Sequence, residues 1–293
     1  MSTLGRHLTL GALVGLGLLL VAGGPAGAAR VSSASSARVS PTRASRTVNA
    51  RVSAAFVMQG RIVTAVRVAG EHRGQRITRR WTFTGRSCTR NVCRKLLLTR
   101  ERSAGQYDNL VLSRTGVGHY AGSGRFYVGL ECRGAIYPRG EVVPYVVTVD
   151  VTHAVDIQGT AFASALSARY TNLHRSDRTI CPVGPSHDAA VYSGVASPPV
   201  SPPTAAFSSA VTPGTDTATF TSDSTPGGDQ SPLTSVLWRF GDAASGAADT
   251  ATAPQATHTF SAPGTYTVSL TVTDANGLTS SQSQQVVVPA PLG

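Results

Sequence analysis

The sequence predicts an all-β fold: a central antiparallel meander, either barrel-like or a sandwich, followed by a smaller C-terminal body of strands. Three observations carry this expectation. Apolar residues recur at every second position through much of the chain beyond Arg51, the period of a strand with one buried face. Hardly any segment repeats at the helical period; residues 161–168 are rich in alanine, but Phe162, Leu166 and Tyr170 fit either period and the flanking strand signal decides for β. Glycine, proline and asparagine break the alternation where turns are needed.

At the N-terminus, Arg6 and His7 precede an apolar run over residues 8–22, and Ala26-Gly27-Ala28 follows it. A short basic stretch, an apolar run too short to span a bilayer comfortably and a small-residue site define a secretory signal peptide at residues 1–28, so no transmembrane anchor is expected in the mature chain. Residues 29–51 are Ser, Arg and Ala without apolar periodicity and read as a disordered basic tether, because they bury too little surface to offset their ordering entropy.

The central region, residues 52–192, opens with Phe56, Met58, Ile62, Val66 and Val68 on one parity and Gln59, Arg61 and Arg67 on the other; Gly60 is expected to mark a bulge. Gly70 to Gly74 turn the chain into a second strand, where Ile77, Trp81 and Phe83 alternate with Thr78, Arg80, Thr82 and Thr84. Residues 95–100, 108–114 and 120–132 read as three further strands, and residues 142–156 with 160–172 as a long hairpin turning near Gly159. About seven or eight antiparallel strands give a meander that either closes as a barrel or folds as two sheets. Long sequential hairpins favour the barrel, since closure removes exposed edges.

The chain has four cysteines, Cys88, Cys93, Cys132 and Cys181, all in this region. An even count in an exported chain reads as two disulfides, with Cys88–Cys93 and Cys132–Cys181 the favoured pairing of three. The second would close a loop of roughly 50 residues and stabilise by about 4 kcal/mol in the loop-entropy model. A four-cysteine zinc site is the competitor, but the spacings lack paired C-x-x-C knuckles. Residues 193–203 contain Ser-Pro-Pro twice and read as a semi-rigid spacer holding two folded units apart.

In the C-terminal region, residues 204–289, Tyr266, Val268, Leu270 and Val272 alternate with Thr265, Thr267, Ser269, Thr271 and Thr273, and Asn276-Gly277 is a hairpin signal for a two-residue turn. With Phe207, Phe220, Trp238-x-Phe240-Gly241-Asp242, His258-Thr259-Phe260, Gly264 and Asp274, this stretch resembles a PKD domain, an immunoglobulin-like β-sandwich of secreted bacterial proteins. Arg239 and Ala243 depart from the pattern, and the turn after Asp242 is expected to differ in shape. The resemblance implies a non-catalytic spacer or contact module for extracellular protein or polysaccharide. The central region resembles secreted β-rich regions of actinobacteria, which implies no chemistry.

Residues 203–293 hold six Asp and one Arg, leaving nine acids and 25 bases upstream of them. The excess positive charge therefore lies before the C-terminal region, and its Arg-rich strand faces include Arg61, Arg67, Arg73, Arg76, Arg79 and Arg80. Arg61, Arg67, Arg76, Arg79 and Arg80 are the candidate contact for an anionic cell-envelope polymer, because guanidinium groups grip oxyanions with paired hydrogen bonds. No nucleic acid partner is expected, since aromatic residues are not interleaved as base stacking requires.

No catalytic, cofactor-binding or metal residue is assigned. Ser186-His187-Asp188 holds the letters of a triad, but sequence neighbours point apart, and the stretch reads as a polar turn. Gly116-x-Gly118 reads as a glycine turn without a helix to meet phosphate. His119, His153 and His174 read as surface or barrel histidines. Among Glu131, Glu141, Asp150 and Asp156 no spacing singles out a pair for glycoside cleavage, and Asp150 and Asp156 would lie about 20 Å apart on one strand. Asp223, Asp229, Asp242 and Asp274 read as turn caps before calcium ligands. The leading expectation is a secreted, non-catalytic binding or adhesion protein without a cofactor. An extracellular hydrolase with an accessory PKD module is the first alternative; a barrel carrying a small apolar ligand is the second.

Overall fold

The computed structural model describes residues 46–103, 105–172, 174–177 and 184–290. The predicted signal peptide and Cys181 lie outside these residues. The chain from Ala44 onward forms one compact unit.

Nine strands build the central region: β1 (Ala54–Val66), β2 (Arg76–Cys88), β3 (Cys93–Ser103), β4 (Gln106–Gly116), β5 (His119–Cys132), β6 (Ala135–Ile157), β7 (Thr160–Thr171), the two-residue β8 (Ser176–Asp177) and β9 (His187–Ala196). From β1 to β7 each strand pairs antiparallel with the next, and β9 pairs with both β7 and β1. Eight strands thus close a ring, while β8 adds a short edge to β6. Closure settles the choice left open by the sequence in favour of the barrel.

Inward positions follow the alternation. Phe56 and Met58 from β1, Trp81 and Phe83 from β2, Leu96 and Leu98 from β3, Val147, Val149 and Val151 from β6, and Phe162 from β7 are buried in one cluster. An eight-stranded barrel is just wide enough for side chains to fill it. These large side chains occupy the bore at their level.

The sequence reading missed β9. A polar turn at Ser186 to Asp188 and a spacer over residues 193–203 are what the sequence predicts, yet residues 187–196 form the strand that closes the barrel. Its alanines and glycine carry little strand propensity, but they fit opposite the bulk of β1 and β2: a Cβ on Gly194 would lie 2.2 Å from the Met58 sulfur. Gly60 has the same role in reverse. It pairs regularly with Ile77 and Tyr192, and a Cβ there would lie 2.4 Å from the Tyr192 ring. The register shift of β1 falls between Ile62 and Thr64 instead.

The expected tether also ends earlier than residue 51. Val48 N donates to the Val151 carbonyl, Arg51 bridges to Phe162, and Ala50 is buried, so the last residues before β1 belong to the barrel. Cys88 and Cys93 are disulfide-bonded across the β2–β3 turn. Cys132 is disulfide-bonded too; the predicted Cys132–Cys181 pairing falls outside the described residues.

The C-terminal region packs two sheets. One holds β10 (Phe207–Val211), β11 (Thr217–Ser222) and β14 (Gln255–Thr259). The other holds β12 (Leu233–Arg239), β13 (Thr250–Ala251), β15 (Gly264–Asp274) and β16 (Thr279–Val288). Phe207, Phe220, Trp238, Phe240, Phe260, Val268, Leu270 and Val272 fill the space between them. The β15–β16 turn differs from the predicted two-residue form. Gly277 N donates to the Asp274 carbonyl, Asp274 N to the Leu278 carbonyl, and Gly277 alone takes the left-handed conformation at φ 79°, the three-residue loop of a type I turn closed by glycine.

The two β bodies touch, which corrects the expectation of a spacer that holds them apart. Arg51 Nη1 donates to the Asn276 carbonyl at 2.7 Å, and Gln158 exchanges two hydrogen bonds with the Thr279 backbone at 2.8 and 2.9 Å. Leu278, in the β15–β16 turn, is 1% exposed and belongs to the barrel's apolar cluster. Truncation after Ala196 is therefore expected to lower the barrel's melting temperature while leaving one cooperative transition by calorimetry, because the closed ring survives while the apolar contacts of Val200 and Leu278 and the hydrogen bonds of Arg51 and Gln158 to the second body are lost. Loss of the transition would show that the barrel needs the second body to fold.

Candidate functional site

Parity sorts the five candidate arginines. On β1 and β2 the inward residues are Met58, Trp81 and Phe83, so Arg61, Arg76 and Arg80 face solvent on the outer wall, and all three are exposed. Arg79 has the inward parity and its Nε donates to the Arg102 carbonyl at 2.8 Å. Arg67 lies in the β1–β2 connection at φ 54°, with its guanidinium against Gly184. The sequence cluster is thus divided between the barrel's outer and inner surfaces.

The outer wall carries more charge than the sequence reading assigned. Outward positions of β2 run Arg76, Thr78, Arg80, Thr82, Thr84 and Arg86. Arg61 stands directly opposite Arg76, and Lys95 directly opposite Arg86. Like charges facing each other across a strand pair are destabilising. Among the described residues none of these five cations forms an ion pair. From Arg76 to Arg86 the stripe extends about 33 Å at 3.3 Å per residue.

The second feature is the open end of the barrel. A cavity of about 390 Å³ is lined there by Glu71, Arg79, Arg100, Arg102, Phe126, Tyr170, Arg175, Asp188 and Tyr192, among others. Arg100 forms its floor. This buried guanidinium donates to both oxygens of Asp108, at 3.1 and 2.7 Å, and lies 4.3 and 4.8 Å from the ring centres of Tyr145 and Tyr170. A cation held by a carboxylate and two ring faces caps the apolar bore with a polar layer. Burial pushes the Tyr145 and Tyr192 hydroxyls up to about 12 and that of Tyr170 further, so all three stay protonated donors.

Arg102 and Arg175, two of the cavity's three other arginines, each keep a nitrogen without a hydrogen-bond partner. Arg102 lies 4.2 Å over the Phe126 ring, and its Nε is 3.7 Å from Asp108 Oδ2, an oxygen already engaged by Arg100; that Nε is buried without a hydrogen-bond partner. Arg175 donates to Asp188 Oδ1 at 2.8 Å and lies 3.5 Å from Glu141 Oε2, and its Nε is likewise buried without a partner. Above them Glu71 reaches in from the β1–β2 connection. Burial and the nearby Asp188 raise its pKa, against the pull of Arg175 and Arg79.

Among the described residues Ser186 and Asp188 share no hydrogen bond. Asp188 is committed to Arg175 and to Asn172 Nδ2 at 3.2 Å, while the Ser186 hydroxyl makes no hydrogen bond. His119 and Asp150 face each other across β5 and β6 with Nδ1 and Oδ1 2.5 Å apart. Gly116 and Gly118 flank the β4–β5 turn, and Gly118 N donates to Asn49. Among the described residues no three His, Cys, Asp or Glu side chains gather as a metal site, and no helix is long and apolar enough to cross a membrane.

In the sandwich, the motif residues are structural. Trp238 Nε1 donates to the Ala253 carbonyl at 2.8 Å, and the His258 ring stacks on Phe240 with centres 4.3 Å apart. Asp242 accepts from Ser261 N at 2.8 Å and Ser261 Oγ at 2.6 Å, and lies 3.2 Å from His258 Nε2. Burial raises its pKa, but these hydrogen bonds outweigh that and hold it below the usual value. Gly241 sits at φ 74° where a Cβ would lie 2.5 Å from the Thr267 carbonyl oxygen. After Asp242 the chain forms a 3-10 segment, Ala243–Asp249, at the place where the sequence departs from the motif. Tyr266 closes the lower core on Phe260 and donates to the Ala262 carbonyl.

No curated protein matches the chain. Among solved structures it is similar to the PKD1 domain of Vibrio anguillarum Epp, with 25% identity over 31% of this chain and 98% of that one, and a TM-score of 0.27. It is also similar to the PKD1 domain from Vibrio cholerae metalloprotease PrtV, with 27% identity over 30% of this chain and 99% of that one, and a TM-score of 0.26. The family model described as PKD domain matches residues 199–288, and this C-terminal part of the chain is a PKD domain, which implies an extracellular accessory or binding module.

Proposed function

We propose that this chain is a secreted, non-catalytic binding protein in which the barrel holds an anionic polymer of the cell envelope along its outer stripe, and the PKD domain acts as an accessory contact module. The observation that carries the reading is the pair of unopposed like-charge contacts, Arg61 with Arg76 and Arg86 with Lys95. A polyanion lying along β2 neutralises both pairs at once, and guanidinium groups provide directed donors for its oxyanions. Arg80 extends the row between them.

Binding to teichoic-acid-bearing cell walls tests this. Each exposed contact is worth about 0.5–1 kcal/mol, so the triple variant Arg76→Gln, Arg80→Gln, Arg86→Gln is expected to weaken co-sedimentation about tenfold or more, with a melting temperature equal to or above the parent's because both like-charge pairs are relieved. Wall binding that is indifferent to the triple variant would count against the stripe.

A further inference from the structure

We propose that the open end of the barrel is a binding site for an acidic sugar, a monosaccharide or short saccharide bearing one carboxylate. This goes beyond the outer stripe and stands or falls separately from it, because it uses the inward face.

The cavity has the two kinds of group such a ligand needs. Arg102 and Arg175 both line the cavity; the carboxylate oxygen nearest Arg102, 3.7 Å from its Nε, is one that Arg100 already occupies, and Arg175 is shared between Asp188 at 2.8 Å and Glu141 at 3.5 Å. A carboxylate accepts from a guanidinium through two oxygens. Glu71 lines the same space from the β1–β2 connection and is an acceptor for neutral hydroxyls, beside Asp188, one oxygen of which Arg175 already engages at 2.8 Å. The rings of Phe126, Tyr170 and Tyr192 offer faces for the sugar's C–H surfaces and, in the tyrosines, protonated hydroxyl donors.

Charge and size narrow the class. A phosphate dianion would gain from the arginines but meet Glu71 and Asp188, whereas a single carboxylate on a ring of hydroxyls satisfies both signs of charge. A fatty acid would find its tail blocked, because the Arg100 floor and the buried side chains below it fill the bore. A cavity of about 390 Å³ is near the small end of ligand pockets, which limits the occupant to one or two sugar units.

Isothermal titration of the full chain with galacturonate, galactose and inorganic phosphate is the test. Galacturonate is expected to bind at one site, with galactose and phosphate each at least about tenfold weaker. Losing a charged hydrogen bond costs about 1.5–3 kcal/mol, so Arg102→Gln is expected to weaken galacturonate binding about 10-fold to 150-fold. Arg76→Gln on the outer wall is expected to leave it unchanged. If Arg102→Gln does not fold, Arg79→Gln replaces it, with a loss expected in the same direction. Equal binding of galactose, tighter binding of phosphate, no saturable binding of galacturonate, or wild-type affinity in the arginine variant would each overturn the proposal.

Discussion

Replacing Arg100 with alanine is expected to destabilise the barrel by about 3–5 kcal/mol, because it strands Asp108 in a largely buried position without its bidentate partner. Two ring contacts, to Tyr145 and Tyr170, go with it. The paired variant Arg100→Met, Asp108→Leu removes both charges and replaces them with apolar volume, so it is expected to be close to neutral. Urea denaturation of the three proteins distinguishes a structural ion pair from a spectator. A loss below about 1 kcal/mol in the single variant would show that solvent reaches the pair and that Arg100 does not floor the cavity.

Asp242→Ala is expected to have a similar cost in the sandwich, about 3–5 kcal/mol. One buried carboxylate serves His258 and both the backbone and hydroxyl of Ser261, so its loss leaves several groups without partners at once. The same carboxylate fixes a sign for acid sensitivity. Its folded pKa is depressed, so its contribution is fully present above the usual carboxylate range and is lost as pH falls through the lowered value. The variant is therefore expected to differ most from the parent at neutral pH and to converge with it in strong acid. A constant difference across that range, followed by thermal melts of the PKD domain, would contradict the assignment.

How legible the molecule was in its sequence depends on how much each element relies on its own residues. Strands β1 to β7 alternate strongly, and their parity already assigns Arg61, Arg76 and Arg80 outward. The same alternation placed Arg79 with Ile77, Trp81 and Phe83, and Arg100 with Leu96 and Leu98, so the inward arginines left a signal that clustering by sequence distance obscured. In contrast, β9 has small residues because β1 and β2 fill the bore opposite it, and that reason exists only in the closed barrel. The Trp238 to Asp242 motif was readable because its residues serve their own sandwich. The meeting of Arg102, Arg175, Glu71 and Asp188 was not, since four separate segments contribute to it. The contact between the two bodies rests on a backbone carbonyl of Asn276 and on Leu278, neither of which a Pro-rich spacer announces.

The basic stripe as a polyanion contact is tested most directly by the salt dependence of the full chain's affinity for cell walls with and without their teichoic acid. Exposed charges several ångströms from their partners are screened by salt, and released counterions make the logarithm of affinity fall linearly with the logarithm of salt concentration. The expected result is a steep negative slope on intact walls and little binding to stripped ones. Affinity that stays level as salt rises, or that survives removal of the anionic polymer, would contradict it.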